Sequence, residues 1–136
     1  AVLLDLVRGK WEAPELLTQA RAFWGKHKAI DGQGAVRAMK VEDKSSGTGL
    51  IQTLKREGIP IIGIPRSRDK VERAYDAAPY IESGNVLLPR SAPWLSDFLG
   101  EASGFPNAAN DDMMDPMMDA IAEAQSGKGV PRIRAL

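Results

Sequence analysis

Ile59–Ile64 reads Ile-Pro-Ile-Ile-Gly-Ile, without a single charged side chain, and it constrains the fold more than any other segment. A strand that is apolar at both odd and even positions is expected where both faces are covered. Parallel sheets meet that condition, because their crossover helices lie against the sheet. The residues just upstream supply the crossover. Ala35–Val41 (AVRAMKV) reads as a strand that ends at Glu42 and Asp43. Ser45, Ser46, Gly47 and Gly49 form a small polar turn, in which Ser45 or Ser46 is placed to cap a helix. Leu50, Ile51 and Leu54 then recur at helical spacing to about Glu57, and Gly58 stops the helix.

The rest of the chain continues the alternation. Ala1–Val7 (AVLLDLV) is apolar and branched, which predicts a strand. Pro14 suits a first helical turn, and Leu16, Leu17, Ala20, Phe23 and Trp24 give an amphipathic helix over Glu15–Lys28. Ile30–Gly34 reads as a loop. Lys70–Ser83 reads as a helix ended by Gly84, Val86–Leu88 as a short extended piece, and Pro93–Leu99 as another helix. Asp115 before Pro116 predicts a helix start, with Asp as cap and Pro at the first position. The fold class is therefore α/β, with parallel pairing. One domain is expected over residues 1–125, followed by a flexible tail over 126–136. The abrupt apolar start suggests a fragment.

Composition narrows the chemistry. The chain has no cysteine, so a disulfide scaffold and a thiolate metal site are excluded. No apolar run reaches the roughly 20 residues of a membrane span, and the first residues lack a basic leader, so a cytoplasmic location is the default. The 18 basic and 18 acidic residues cancel, which leaves local clusters as the only electrostatic signal. Arg66, Arg68, Lys70 and Arg73 form a basic one; Asp111, Asp112, Asp115 and Asp119 form an acidic one.

Two acidic pairs stand out by position. Glu42 and Asp43 sit at the carboxyl end of a strand, where sites form in open α/β sheets. Asp111 and Asp112 sit just before the last helix. Converging carboxylates repel unless a cation is present. Magnesium takes oxygen ligands, and two such ions can clamp the attacking and leaving oxygens of a phosphodiester. On spacing alone the plain alternatives stand beside this one. Asp-Asp near a helix start often caps it, and Glu-Asp at a strand end is often only solvated.

Three stretches carry a family resemblance. Val41–Ala74 (VEDKSSGTGLIQTLKREGIPIIGIPRSRDKVERA), Leu3–Leu16 (LLDLVRGKWEAPEL) and Asn85–Asp112 (NVLLPRSAPWLSDFLGEASGFPNAANDD) resemble, in order and spacing, the nuclease part of phage terminase large subunits. The likeness runs over most of Leu3–Asp119. It implies an RNase H-like mixed sheet flanked by helices, and metal-dependent endonucleolytic cleavage of double-stranded DNA during packaging. It implies a two-metal site for Mg2+ or Mn2+ in the complete domain, with one catalytic carboxylate from the strand-end pair, Glu42 in preference and Asp43 as helper. Asp112 is the next, with Asp111 beside it. Because adjacent strand residues face opposite sides, one of Glu42 and Asp43 is expected to reach the metal. The two acidic pairs are expected to meet at one cation-binding edge. Double-stranded DNA, the terminase small subunit and the portal are the implied partners, in a bacterial host cell.

Departures from the family pattern bear on activity. The first strand, with the family's first catalytic Asp, is expected upstream of Ala1, and Asp5 is a poor substitute. Asn110 stands where the family carries His, and Pro116 with its methionines is unusual. No Gly-rich phosphate loop of the family's ATPase motor occurs. An alternative is therefore a catalytically inactive prophage-derived fragment, binding DNA or protein, with a homodimer through an exposed sheet edge. Lys44, Arg66, Arg68, Lys70 and Arg73 are the candidates for DNA phosphate contact, against a plain solubilising role. His27 is assigned no catalysis. Trp11, Trp24, Trp94 and the methionines at 113, 114, 117 and 118 read as packing.

Overall fold

The computed structural model describes residues 1–30, 34–44, 46–65 and 68–126. Arg66, Ser45 and the expected tail beyond residue 126 lie outside the described residues, as does the middle of the 30–34 loop. The chain divides into two compact units, one of Gly9–Ser67 and one joining Ala1–Arg8 to Arg68–Leu136. The class is mixed α/β, with five helices and a two-stranded parallel sheet among the described residues. No helix among them is long and apolar enough to cross a membrane.

The Gly9–Ser67 unit holds α1 (Ala13–His27), β1 (Ala29–Ile30), β2 (Gly34–Ala35), β3 (Met39–Glu42), α2 (Ser46–Arg56) and β4 (Ile61–Ile64). Strands β3 and β4 pair in parallel, Met39 opposite Ile61 and Glu42 opposite Ile64, with α2 as the crossover. Strands β1 and β2 make a small antiparallel ladder of their own. Buried Ile51, Leu54 and Ile61 form the core, joined by Leu17 and Ala20 of α1 and by Met39 and Val41 of β3. The expected strand over Ala35–Val41 is thus shorter and starts later, at Met39.

The end of α2 follows from Gly58. Its φ of 78° lies in the left-handed region, where a residue without Cβ is unstrained. Gly58 N–H donates to the Lys55 carbonyl at 3.0 Å and Ile59 N–H to the Leu54 carbonyl at 3.1 Å. That pair of bonds is the Schellman arrangement, closed by an apolar contact between the residues on either side of it. Leu54 and Ile59 supply that contact.

Helices α1 and α2 are also joined at the surface. Arg21 Nε donates to Glu57 Oε2 at 2.8 Å, and the guanidinium also bonds Oε1. The bond from Arg21 holds the Glu57 carboxyl below its usual range. A depressed carboxylate adds stability above its ordinary pKa, and that stability is lost as the pH falls through the folded value. Between about pH 5 and pH 3 the thermal midpoint of the chain is expected to fall further than that of Glu57→Gln. Equal slopes in the two proteins would show that the pair contributes nothing.

The second unit holds α3 (Lys70–Glu82), α4 (Leu95–Gly104) and α5 (Met114–Gln125). Its core is Ala77, Phe98, Met113, Met114, Met118 and Ile121, with Leu3, Leu6, Val86, Leu88 and Trp94 against it. The methionines are packing groups, as their spacing predicts. Helix α3 ends as α2 does, on Gly84 at φ 75°.

Three expectations are corrected here. Ala1–Val7 is not a strand: Val2 makes one parallel bridge with Leu87 and no more. Leu87 N–H donates to the Ala1 carbonyl and Leu3 N–H to the Leu87 carbonyl. The next rung would need an N–H from residue 89, which is proline, so the ladder stops. Helix α4 runs to Gly104 instead of ending near Leu99. Packing of Phe98 and Ala102 and the buried Glu101 hold it through Gly100. Helix α5 starts at Met114, and Asp115 is not its cap. The N–H of Met113 donates to Glu101 Oε1 at 2.7 Å, so a carboxylate from α4 serves the helix start instead.

Candidate functional site

The first acidic pair lies where β3 ends. Asp43 N–H donates to the Ile64 carbonyl at 3.0 Å, which carries the parallel ladder one residue past the strand. Alternation then sends Glu42 and Asp43 to opposite faces. Asp43 turns toward α2, where its Oδ1 accepts a bond from Thr48 Oγ1 at 2.7 Å. A Cβ placed on Gly63 would stand 3.5 Å from Asp43 Oδ2 and 3.4 Å from Ile51 Cδ1, so Asp43 lies directly over β4 on the core side. Glu42, on the other face, is about one-third exposed and pairs with Lys44 at 3.0 Å.

Gly47 fixes the turn beneath this pair. Its N–H donates to the Lys44 carbonyl at 2.6 Å, and a Cβ there would overlap the carbonyl oxygen of Glu42. A backbone atom cannot move aside as a side chain would. Gly47→Ala is expected to destabilise the unit by about 1–3 kcal/mol, the range for forced overpacking. It should also displace Glu42. Gly49→Ala, which meets nothing within 4 Å, is the control in denaturant unfolding. Equal midpoints would contradict the close approach.

The second pair precedes α5. The Asp111 carbonyl accepts N–H bonds from Met114 and Asp115, at 3.1 and 3.4 Å. Its carboxylate, about one-quarter exposed, is bonded by the Lys70 ammonium. Asp112 is 70% exposed and lies 3.6 Å from Arg8 Nη2. Arg8 also reaches Glu101 Oε2 at 3.4 Å. The Glu101 side chain is 4% exposed and so needs both its bonds. Arg8 thus ties the buried Glu101 to the exposed Asp112.

The basic residues are engaged with carboxylates. Arg68 bonds Asp76 at 2.7 Å and pairs with Glu72 at 3.3 Å. Arg73, 13% exposed, holds Asp115 at 2.5 Å and Asp119 at 3.3 Å, which joins α3 to α5. With Lys70 on Asp111 and Lys44 on Glu42, the four described bases expected at DNA each have an acid partner. Contact with a phosphate would exchange one anion for another. Arg66 lies outside the described residues.

Thr48, Arg8 and Glu101 were not singled out in the sequence. Thr48 stands five residues after Asp43 in a turn of small residues, which is a usable signal for a hydroxyl near the strand end. Arg8 and Glu101 carry no local signal, because their meeting depends on the tertiary path.

The donor chemistry suits a hard divalent cation. Both pairs offer carboxylate oxygen alone, and Asp111 is already bonded by the Lys70 ammonium. Magnesium is commonly held by one or two carboxylates together with waters and substrate phosphates. Among the described residues no group of three or more His, Asp or Glu side chains is gathered as for a metal.

The mixed α/β order, with a parallel strand-helix-strand unit and flanking helices, is that of a partial RNase H-like fold. The chain belongs to the terminase RNaseH-like domain family, whose model matches residues 10–124. Comparison with curated proteins and with solved structures returned no match.

Proposed function

We propose that this chain is the nuclease module of a DNA-packaging terminase large subunit, cleaving double-stranded DNA with Mg2+ or Mn2+. The family match carries this reading, because residues 10–124 include both acidic pairs. Glu42 and Asp112 are the principal ligands, with Asp43 and Asp111 beside them. A bound divalent cation supplies Lewis acidity, which activates water and stabilises the leaving oxygen of the phosphodiester. Thr48 holds Asp43 by its hydroxyl, and Gly47 sets the backbone under Glu42. Lys44, Arg66, Arg68, Lys70 and Arg73 serve the DNA backbone, a contact that carries no sequence preference and weakens with salt. The portal and the terminase small subunit are the partners in the assembled motor, in the cytoplasm of the host cell.

A second reading has one observation in its favour. With no group of three acids or histidines gathered among the described residues, the chain would instead be a non-cutting module that binds DNA or protein. Pairing of two copies through a sheet edge belongs to that reading. Nicking of supercoiled plasmid in Mn2+, with EDTA and Glu42→Ala as controls, separates the two. Nicking that both controls abolish supports the nuclease. Intact folding without nicking supports the binding module.

A further inference from the structure

Glu101 is the one buried charged residue among the described residues, and the proposed chemistry does not use it. Its side chain is 4% exposed, yet both carboxylate oxygens are engaged. Oε1 accepts the Met113 N–H at 2.7 Å, and Oε2 meets Arg8 Nη1 at 3.4 Å. Arg8 Nη2 stands 3.6 Å from Asp112 Oδ2. One buried anion therefore reaches Asp112 by two routes, through the backbone of the next residue and through the guanidinium.

Stability alone does not account for this arrangement. Taking a carboxylate out of water is costly, and apolar residues of similar volume often serve a fold as well or better. An exposed Ser, Thr, Asn or Asp could cap α5 without that cost. What the buried carboxylate adds is a fixed geometry at Asp112. The residues on either side of it are held as well: the Asp111 carbonyl accepts from Met114 and Asp115, and Met113 is buried. An exposed acid is ordinarily free to turn. Asp112 is exposed, but its backbone is fixed on both sides and a guanidinium stands beside its carboxylate. Arginine suits that bridge, because its planar fork presents separate N–H groups to two acceptors where an ammonium is a point charge.

We propose that Glu101 is a positioning residue for Asp112, acting through Arg8 and through the Met113 N–H, so that the Asp112 carboxylate is presented in one orientation. The inference rests on the reading of Asp112 as a working acid of the nuclease.

The pair variant Arg8→Met/Glu101→Gln tests it. This change removes the ion pair without leaving a charge buried, and the glutamine carbonyl can still accept the Met113 N–H. The denaturant midpoint is expected to stay near that of the wild type. Mn2+ binding to the full chain, read by electron paramagnetic resonance of the free ion, is expected to weaken about 10- to 100-fold, the range for groups that orient a ligand. In an Asp112→Asn background the same change should weaken it no further, since residues that act through one another are not additive. Should the pair variant fail to fold, Arg8→Lys carries the test: it keeps a cation beside Glu101 but cannot span both acids, and it should show the same loss in the same background only. If Asp112→Asn weakens Mn2+ binding but these changes leave it unaltered, or weaken it alike in both backgrounds, the positioning role is overturned and the reading of Asp112 stands. If Asp112→Asn binds Mn2+ as the wild type does, both are overturned.

Discussion

Glu42→Gln and Asp112→Asn are each expected to slow plasmid nicking in Mn2+ by at least about 100-fold. Loss of groups that only support a metal ligand costs about 10–100-fold, and loss of the ligand itself should match or exceed the upper figure. Neither change should disturb folding, because Asp112 is 70% exposed and Glu42 about one-third exposed. Surface substitutions of this kind usually stay within about 0.5 kcal/mol. The double variant should be little slower than either single one, since groups that act as a unit are strongly non-additive. Asp43→Asn should lose less, as its carboxylate is already held by Thr48. Nicking at the wild-type rate in either principal variant would remove that residue from the chemistry.

Phe98→Ala is expected to cost about 3–5 kcal/mol, the range for truncating a buried phenylalanine. Phe98 is 2% exposed at the centre of the second unit. It also meets Trp94 edge to face, with ring centroids 6.1 Å apart, a geometry that adds about 0.5–1.5 kcal/mol beyond area. Total stability of a small domain is about 5–15 kcal/mol, so the variant should unfold at markedly lower denaturant. Leu99, the next residue, is 47% exposed. Leu99→Ala should stay within about 0.5 kcal/mol. Denaturant midpoints that moved equally for the two would contradict the assigned face of α4.

The legible parts of the fold were those determined by neighbours in the chain. Gly58 and Gly84 announce helix ends because only the left-handed cap conformation demands glycine there. The βαβ order follows from an uncharged Ile59–Ile64 behind an amphipathic helix. What stayed hidden depended on partners far along the chain. Ala1–Val7 has strand composition, yet Pro89 denies it the next bond. Asp115 has cap composition, yet Arg73 takes its carboxylate and Glu101 serves the helix start. The two acidic pairs stand out by position alone, at a strand end and before a helix. The cations on them do not, because a basic cluster and an acidic cluster look solvated until α3 and α5 bring them side by side.

Iron(II) bound in place of magnesium, with ascorbate and peroxide, cuts the polypeptide within reach of the ion. The nuclease reading predicts cuts around residue 42 that Glu42→Gln erases, and cuts around residue 112 that Asp112→Asn erases. An absence of cuts at both places, or cuts that survive the substitutions, would contradict metal binding by these acids.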